Sequence, residues 1–179
     1  MRSDGNGQYN TVFEALARAA RLHNGQRRKD TPGSPHLKHI VQVLCLLSQA
    51  GIDDIGLLTA AALHDVLRDT DMEPAELRAQ YGDRVAGIVE EINADSDLSR
   101  MDRREELPGI VVSFSAEAQL IKLAEKISNL NDLHEEVPVG WSRRRRREYF
   151  DWTQEVTQPL RGRNALLDEW LDEALSLRP

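Results

Sequence analysis

Three apolar stretches, Leu37 to Leu47, Ile55 to Leu67 and Ala116 to Leu133, carry their large aliphatic residues at helical spacing and never alternate as a half-buried strand does. Segments of this kind bury against one another, so they predict central helices of an all-α fold. The remaining chain fits the same pattern. Val12, Phe13, Leu16, Ala17 and Ala20 share a helical face that ends near Asn24-Gly25, and a polar loop follows from Gln26 to Pro35. Pro74 opens a short helix to Tyr81, and Gly82-Asp83 starts another, Val85 to Ile92. Asn93 to Pro108 reads as a polar loop, and Ser142 to Val156 and Asn164 to Leu177 read as closing helices. The expectation is a single-domain, all-α helical bundle of about eight to nine helices over residues 9–177.

With 179 residues the chain is long enough to bury a core without disulfides or a structural metal. Only 5% of it is aromatic, which argues against a β-sandwich. Lys and Arg number 23 against 30 Asp and Glu, a net charge of −7, and five of the cations form one run, Arg143 to Arg147. A broad basic surface is therefore lacking and no nucleic-acid partner is expected. Cys45 is the single cysteine and lies within an apolar stretch, so it reads as a reduced core residue of a cytoplasmic protein. No stretch has the apolar length of a signal peptide core or a membrane span, so no membrane partner is expected. The oligomeric state is not legible.

Each apolar stretch is interrupted by residues that bind metals. His64-Asp65 lies in the second, inside the run His-Asp-Val-Leu-Arg-Asp-Thr, and Asp69 follows Asp65 by one helical turn. His39 lies in the first, with His36 three residues earlier, either a second ligand or a polar residue at the helix start. Glu125 stands in the third among Leu120, Ile121, Leu123, Ala124 and Ile127, with Asn129 on its face. A carboxylate there is costly unless it is paired with Lys122 or Lys126 or bound to a metal. Likewise His64-Asp65 reads either as a hydrogen-bonded core pair or as ligands. Taken together, imidazoles and carboxylates on three apolar helices suit Mn²⁺, Fe²⁺ or Zn²⁺ better than Ca²⁺ and point to metal-assisted hydrolysis.

His39, His64-Asp65 and the acid at 125 resemble the metal-binding pattern of HD-domain phosphohydrolases. Three stretches narrow the resemblance: HNGQRRKD (His23 to Asp30), QLIKLAEKISNL (Gln119 to Leu130) and GWSRRRRREYFDW (Gly140 to Trp152). These look like the small, single-domain alarmone hydrolases of the RelA/SpoT-like group, over roughly residues 9–175. The resemblance implies one Mn²⁺ and hydrolysis of the 3′-pyrophosphate of guanosine tetra- or pentaphosphate (ppGpp, pppGpp). It places His39, His64, Asp65 and Glu125 at the four metal positions, although the family pattern has Asp at the last. It places Asp69 at a water-orienting position, and Arg68 where the family pattern has Glu. A cation cannot take a proton from water, so Asp69 would act alone, and Arg68 either grips a phosphate or pairs with Asp65 or Asp71. Substrate contacts implied by the resemblance are Arg28, Lys29, Arg100, Asn129, Arg145 and Tyr149. Trp141, Phe150 and Trp152 read as packing residues.

Three functions follow as alternatives. The first is a ppGpp hydrolase, the second the same scaffold acting on another nucleotide such as the 2′-phosphate of NADPH. The third is a nucleotide-binding module whose catalysis Arg68 and Glu125 have weakened.

Overall fold

A computed structural model describes residues 5–28, 33–96 and 98–179 of the chain. Among these residues there are nine α-helices, two one-turn 3-10 helices and no strand, only an isolated antiparallel bridge between Arg27 and Pro35. The helices are α1 (Gly5–Leu22), α2 (Leu37–Gln49), α3 (Ile55–Ala62), α4 (Val66–Asp69), α5 (Pro74–Ile92), α6 (Arg100–Ile110), α7 (Ala116–Glu135), α8 (Arg143–Thr157) and α9 (Ala165–Ser176). The all-α reading of the sequence is thus what the structure has.

Two helices form the centre. In α3 every residue from Leu57 to Ala62 is buried, and in α7 every residue from Ile121 to Ser128 is buried, so both are enclosed on all sides. Around them α1, α2 and α5 pack on α3, while α2, α5, α8 and α9 pack on α7. α2 is amphipathic rather than central. His39, Ile40, Val43 and Leu47 face the core, whereas Val41 and Cys45 are exposed. The core reading of Cys45 is therefore wrong, because the helical period turns it to the outer face of α2.

Local chemistry sets the helix ends. Asp54, Ser99, Ser115, Ser142 and Asn164 each accept a backbone N–H of the following first turn. Gly82 kinks α5 with φ of 82°, where the sequence predicts two helices. The run from Ile55 to Leu67 is broken rather than continuous. His64 Nδ1 donates to the Ala61 carbonyl at 2.8 Å and Asn93 Nδ2 donates to the His64 carbonyl at 2.7 Å. Side chains thereby take carbonyls that a continuing helix would use, and α3 stops at Ala62.

A second correction concerns Asn93 to Pro108, expected as a loop, which contains most of α6. Ser99 caps this helix by accepting from Asp102 N at 3.2 Å. Its buried stripe is so thin, with Leu107 the fully buried side chain, that no period shows in the sequence. Pro108 sits inside it without an N–H, which leaves the Arg104 carbonyl free. Trp152 Nε1 on α8 donates to that carbonyl at 2.9 Å and so ties α6 to α8.

Candidate metal centre

The break after Ala62 is what shapes the site. In a continuous helix neighbouring side chains diverge by about 100°, but here His64 and Asp65 lie in a turn between α3 and α4 and both face α2. His39 on α2 meets them. The ligand atoms of His39, His64 and Asp65 lie within 4.8 Å of one another, and all three residues are buried.

The hydrogen bonds around the two imidazoles assign their tautomers. His64 gives its Nδ1 proton to the Ala61 carbonyl. His39 Nδ1 lies 3.0 Å from Ser128 Oγ, and the Ser128 hydroxyl donates in turn to Gln42 Oε1 at 3.4 Å, so Ser128 receives the His39 proton. Gln42 Nε2 then donates to Asp132 Oδ1 at 3.1 Å. In the neutral rings both Nε2 atoms are bare lone pairs, facing each other at 3.4 Å with Asp65 Oδ2 3.1 Å from His64 Nε2. Two lone pairs and a carboxylate converging in a buried space repel unless a cation joins them. This donor set, with Nδ1 protons held by outer partners, fits a divalent metal ion.

The charges agree with that reading at His39 and Asp65, whereas His64 without an ion favours its charged form. Burial and the neighbouring His64 hold His39 well below the ordinary imidazole value. Burial alone would lower His64, but the Asp65 carboxylate outweighs it and raises the group. Burial would raise Asp65, yet His64 and Arg68 hold it well below the usual carboxylate range.

Arg68 donates to Asp65 Oδ1, and its Nε lies 3.7 Å from Asp69 Oδ1. Of the two roles considered for Arg68, the structure has the ion pair with Asp65, and it lies within the site, on the carboxylate that the metal needs. Glu125 is buried but does not join His39, His64 and Asp65. Lys122 Nζ approaches its Oε2 at 2.9 Å, Lys126 Nζ its Oε1 at 3.2 Å, and Asn129 Nδ2 donates to Oε1 at 3.1 Å. Burial would raise Glu125, but Lys122, Lys126 and Arg68 hold it well below its usual range. Glu125 thus stands outside the cluster of His39, His64 and Asp65, beside two lysines of α7, with its Oε2 buried and without a hydrogen-bond partner among the described residues.

Beside the triad opens a cavity of about 600 Å³ whose wall includes Arg28, His36, Asp69, Asn129, Trp141 and Tyr149. The loop before α2 is pinned by Arg28 N donating to the Ser34 carbonyl and His36 N donating to the Gln26 carbonyl. Arg28 is thereby held toward α7, where it donates to Asn129 Oδ1 at 3.0 Å and pairs with Asp132 at 2.8 Å. Burial and Glu125 push the Tyr149 hydroxyl above its usual value. Arg145 is exposed at the rim, stacked over Trp141 at 4.3 Å. The rest of the arginine run is exposed apart from Arg146, which is half-buried. Lys29 lies outside the described residues, and Arg100 is described only as backbone at the start of α6.

Phe150 packs in the core and Trp152 between helices, as expected, but Trp141 lines the cavity. Sequence reading also passed over Ser128, Asp132 and Gln42, the outer partners of His39 and Arg28. Their signal was spacing, since Ser128 and Asp132 follow Glu125 by three and seven residues on one face of α7.

The sequence model of the HD domain matches residues 15–166, and the chain belongs to the HD-domain family. Within it, the chain is 41% identical to the guanosine-3′,5′-bis(diphosphate) 3′-pyrophosphohydrolase MESH1 of Drosophila melanogaster, over 93% of each chain. It is 40% identical to the Homo sapiens protein of the same name, over 93% of this chain and 94% of that one. A solved structure of a metazoan ortholog of SpoT, described as hydrolyzing ppGpp and acting in starvation responses, superposes with a TM-score of 0.89 at 40% identity. The match covers 94% of this chain and 95% of that one. The family resemblance read from the sequence is borne out. No described helix is long and apolar enough to cross a membrane.

Proposed function

We propose that this chain hydrolyses the 3′-pyrophosphate of guanosine 3′,5′-bis(diphosphate) and its pentaphosphate. The observation that carries the reading is the buried His39, His64 and Asp65 triad, joined through the Asp65–His36 contact to a cavity lined by His36, Arg28 and Asn129. The likeness to MESH1 proteins supports the choice of substrate.

Mn²⁺ is the proposed ion, with Fe²⁺ and Zn²⁺ as alternatives from the same donor set. His39, His64 and Asp65 would hold it, and Glu125, whose Oε2 is buried without a hydrogen-bond partner among the described residues, is the proposed fourth ligand. When bound, such an ion lowers the pKa of a coordinated water and polarises a phosphoryl oxygen. The chain's own residues do the remainder. Asp69, on the cavity wall, accepts the proton that the attacking water loses. The water oxygen bonds to the phosphorus attached to O3′, the bond from that phosphorus to O3′ breaks, and O3′ leaves as the ribose hydroxyl with the proton that Asp69 accepted, returned directly or through solvent. Pyrophosphate and the nucleoside 5′-diphosphate are the products. Arg28 binds phosphate oxygens as a paired donor, Asn129 and Tyr149 bind the nucleotide, Arg145 stands at the rim, and Lys29 and Arg100 are further phosphate contacts on the family resemblance alone. Arg68 neutralises Asp65 rather than touching substrate.

A second reading, a nucleotide-binding module of low turnover, is favoured by one observation: Arg68 occupies the carboxylate that the ion needs. Purified protein with Mn²⁺ and guanosine tetraphosphate, analysed by ion exchange, decides between them. Guanosine diphosphate and pyrophosphate that vanish in His64→Ala establish the hydrolase. Binding without product establishes the module, and a parallel reaction with NADPH reads out the alternative substrate.

A further inference from the structure

The cavity changes character along its length. His36 and Asp69 line it at the end next to Asp65. Leu133, Glu136, Pro138 and Trp141 line it where α7 ends and the chain turns toward α8. Asn129 and Glu136, both on the wall, are seven residues apart, about 10 Å along the axis of α7. That is the reach of a nucleoside rather than of a phosphate group.

Two carboxylates stand on the wall at and before the far end. Asp132 is committed, because its Oδ2 pairs with Arg28 at 2.8 Å and its Oδ1 accepts from Gln42 Nε2 at 3.1 Å. Glu136 is not. Its Oε1 lies 3.6 Å from Lys38 Nζ, beyond hydrogen-bond distance, and its Oε2 is buried with no hydrogen-bond partner among the described residues. A carboxylate oxygen held in that way is costly unless something donates to it. Phosphate cannot be the donor, since two anions repel. A flat base with N–H groups can, and Leu133, Pro138 and Trp141 supply the apolar surface against which such a ring would lie. Lys38 Nζ, also 3.8 Å from Asp132, offsets the negative charge of this end without lining the cavity.

We propose that Glu136 is a specificity-determining residue that accepts hydrogen bonds from the N1–H and 2-amino groups of guanine. The proposal deepens the ppGpp reading and rests on the nucleotide occupying this cavity. Those two donors of guanine lie side by side and parallel, which matches the two oxygens of one carboxylate. The terminal torsion of a glutamate is soft, so the group turns to present both oxygens at little cost. Adenine has a lone pair at N1 and no amino group at C2, so it sets an acceptor against the carboxylate. A bidentate contact of this kind separates bases by roughly 5- to 150-fold. Repulsion of phosphates by Glu136 also fixes direction: the base lies at the end of α7, and the phosphates lie toward Arg28 and Asp65.

The test is binding of nucleoside diphosphates, which carry the base without the 3′-pyrophosphate and so report recognition without turnover. Guanosine, inosine and adenosine 5′-diphosphates are titrated calorimetrically into the full chain loaded with Mn²⁺. The wild type is expected to bind the guanosine compound about tenfold more tightly than inosine, which lacks the 2-amino group, and to bind adenosine most weakly. Glu136→Gln, whose amide both donates and accepts, is expected to bring guanosine and inosine within about twofold and to bind adenosine more tightly than the wild type does. Glu136→Asp retains a carboxylate and is expected to retain part of the preference, and circular dichroism checks the fold of both variants. An unchanged ranking in Glu136→Gln overturns the proposal, as does a wild type that binds the three compounds equally or not at all, or that prefers adenosine. The ranking expected of the wild type, lost in Glu136→Gln, in a protein that leaves ppGpp intact would sustain base recognition and sink the hydrolase reading.

Discussion

The Nε2 atoms of His39 and His64 face each other across 3.4 Å of buried space, in rings whose opposite nitrogens are each held by an outer hydrogen-bond partner. Such a pair is poised for a cation. Mn²⁺ should therefore raise the melting temperature of the wild type, since an ion at a hundred times its Kd adds about 2.7 kcal/mol to a folded state that alone binds it. His64→Ala should lose this shift, and hydrolysis with it. Differential scanning fluorimetry with and without chelator reads both proteins, and an equal shift in each would place the ion elsewhere.

Ser128 receives the His39 proton and so holds that ring in the ligating tautomer. Ser128→Ala removes the acceptor without touching a ligand. Outer partners of this kind are worth roughly 10–100-fold in metal affinity. Calorimetric titration with Mn²⁺ should show a weakening in that range while the circular dichroism spectrum stays unchanged, and an unaltered Kd would rule out the tautomer argument.

Arg68 holds Asp65 in an ion pair that the metal must displace. Hydrogen bonds between charged groups contribute about 1.5–3 kcal/mol, so Arg68→Ala should tighten Mn²⁺ binding by about tenfold or more. Arg68→Glu should additionally raise turnover by restoring an acid beside Asp69. Weaker metal binding in Arg68→Ala would mean that the guanidinium organises the site.

His64 is raised above the ordinary imidazole value in the metal-free protein because Asp65 favours its charged form over the opposing effect of burial. In that state its protonation contributes stability that is present below the unfolded imidazole value and lost as pH rises through the raised one. Ion binding requires the bare nitrogen and so works in the opposite direction. Apparent Mn²⁺ affinity should fall by about tenfold per pH unit below the raised value, with one proton released per ion. Titrations in two buffers of different ionisation enthalpy count that proton, and a pH-independent affinity would contradict the ligand assignment.

Glu125 and Lys122 are both buried and 2.9 Å apart. Removing one partner of a buried ion pair costs about 3–5 kcal/mol, lessened here because Lys126 remains beside the carboxylate. Lys122→Met should lower unfolding stability by roughly 3 kcal/mol in urea, and added salt should change that little. A loss under about 1 kcal/mol would show that Lys126 alone suffices for Glu125.

What the sequence determined by itself was the class of the fold and the identity of the donors. Helical period depends on local spacing, so α1, α2, α5, α7, α8 and α9 were legible from their apolar faces, while α6, with one fully buried side chain, was not. The imidazoles and carboxylates stood out because ionisable groups are costly on apolar helices. Tertiary structure decided the rest. It broke the helix at Ala62 by diverting carbonyls to His64 and Asn93, and so turned adjacent side chains toward α2. Packing around α7 gave Glu125 to its lysines rather than to the triad, and brought His36 against Asp65. Spacing along α7 offers Glu125 its lysines, but whether a buried charge also meets a more distant partner depends on distances between residues far apart in the chain, of which that spacing carries no record.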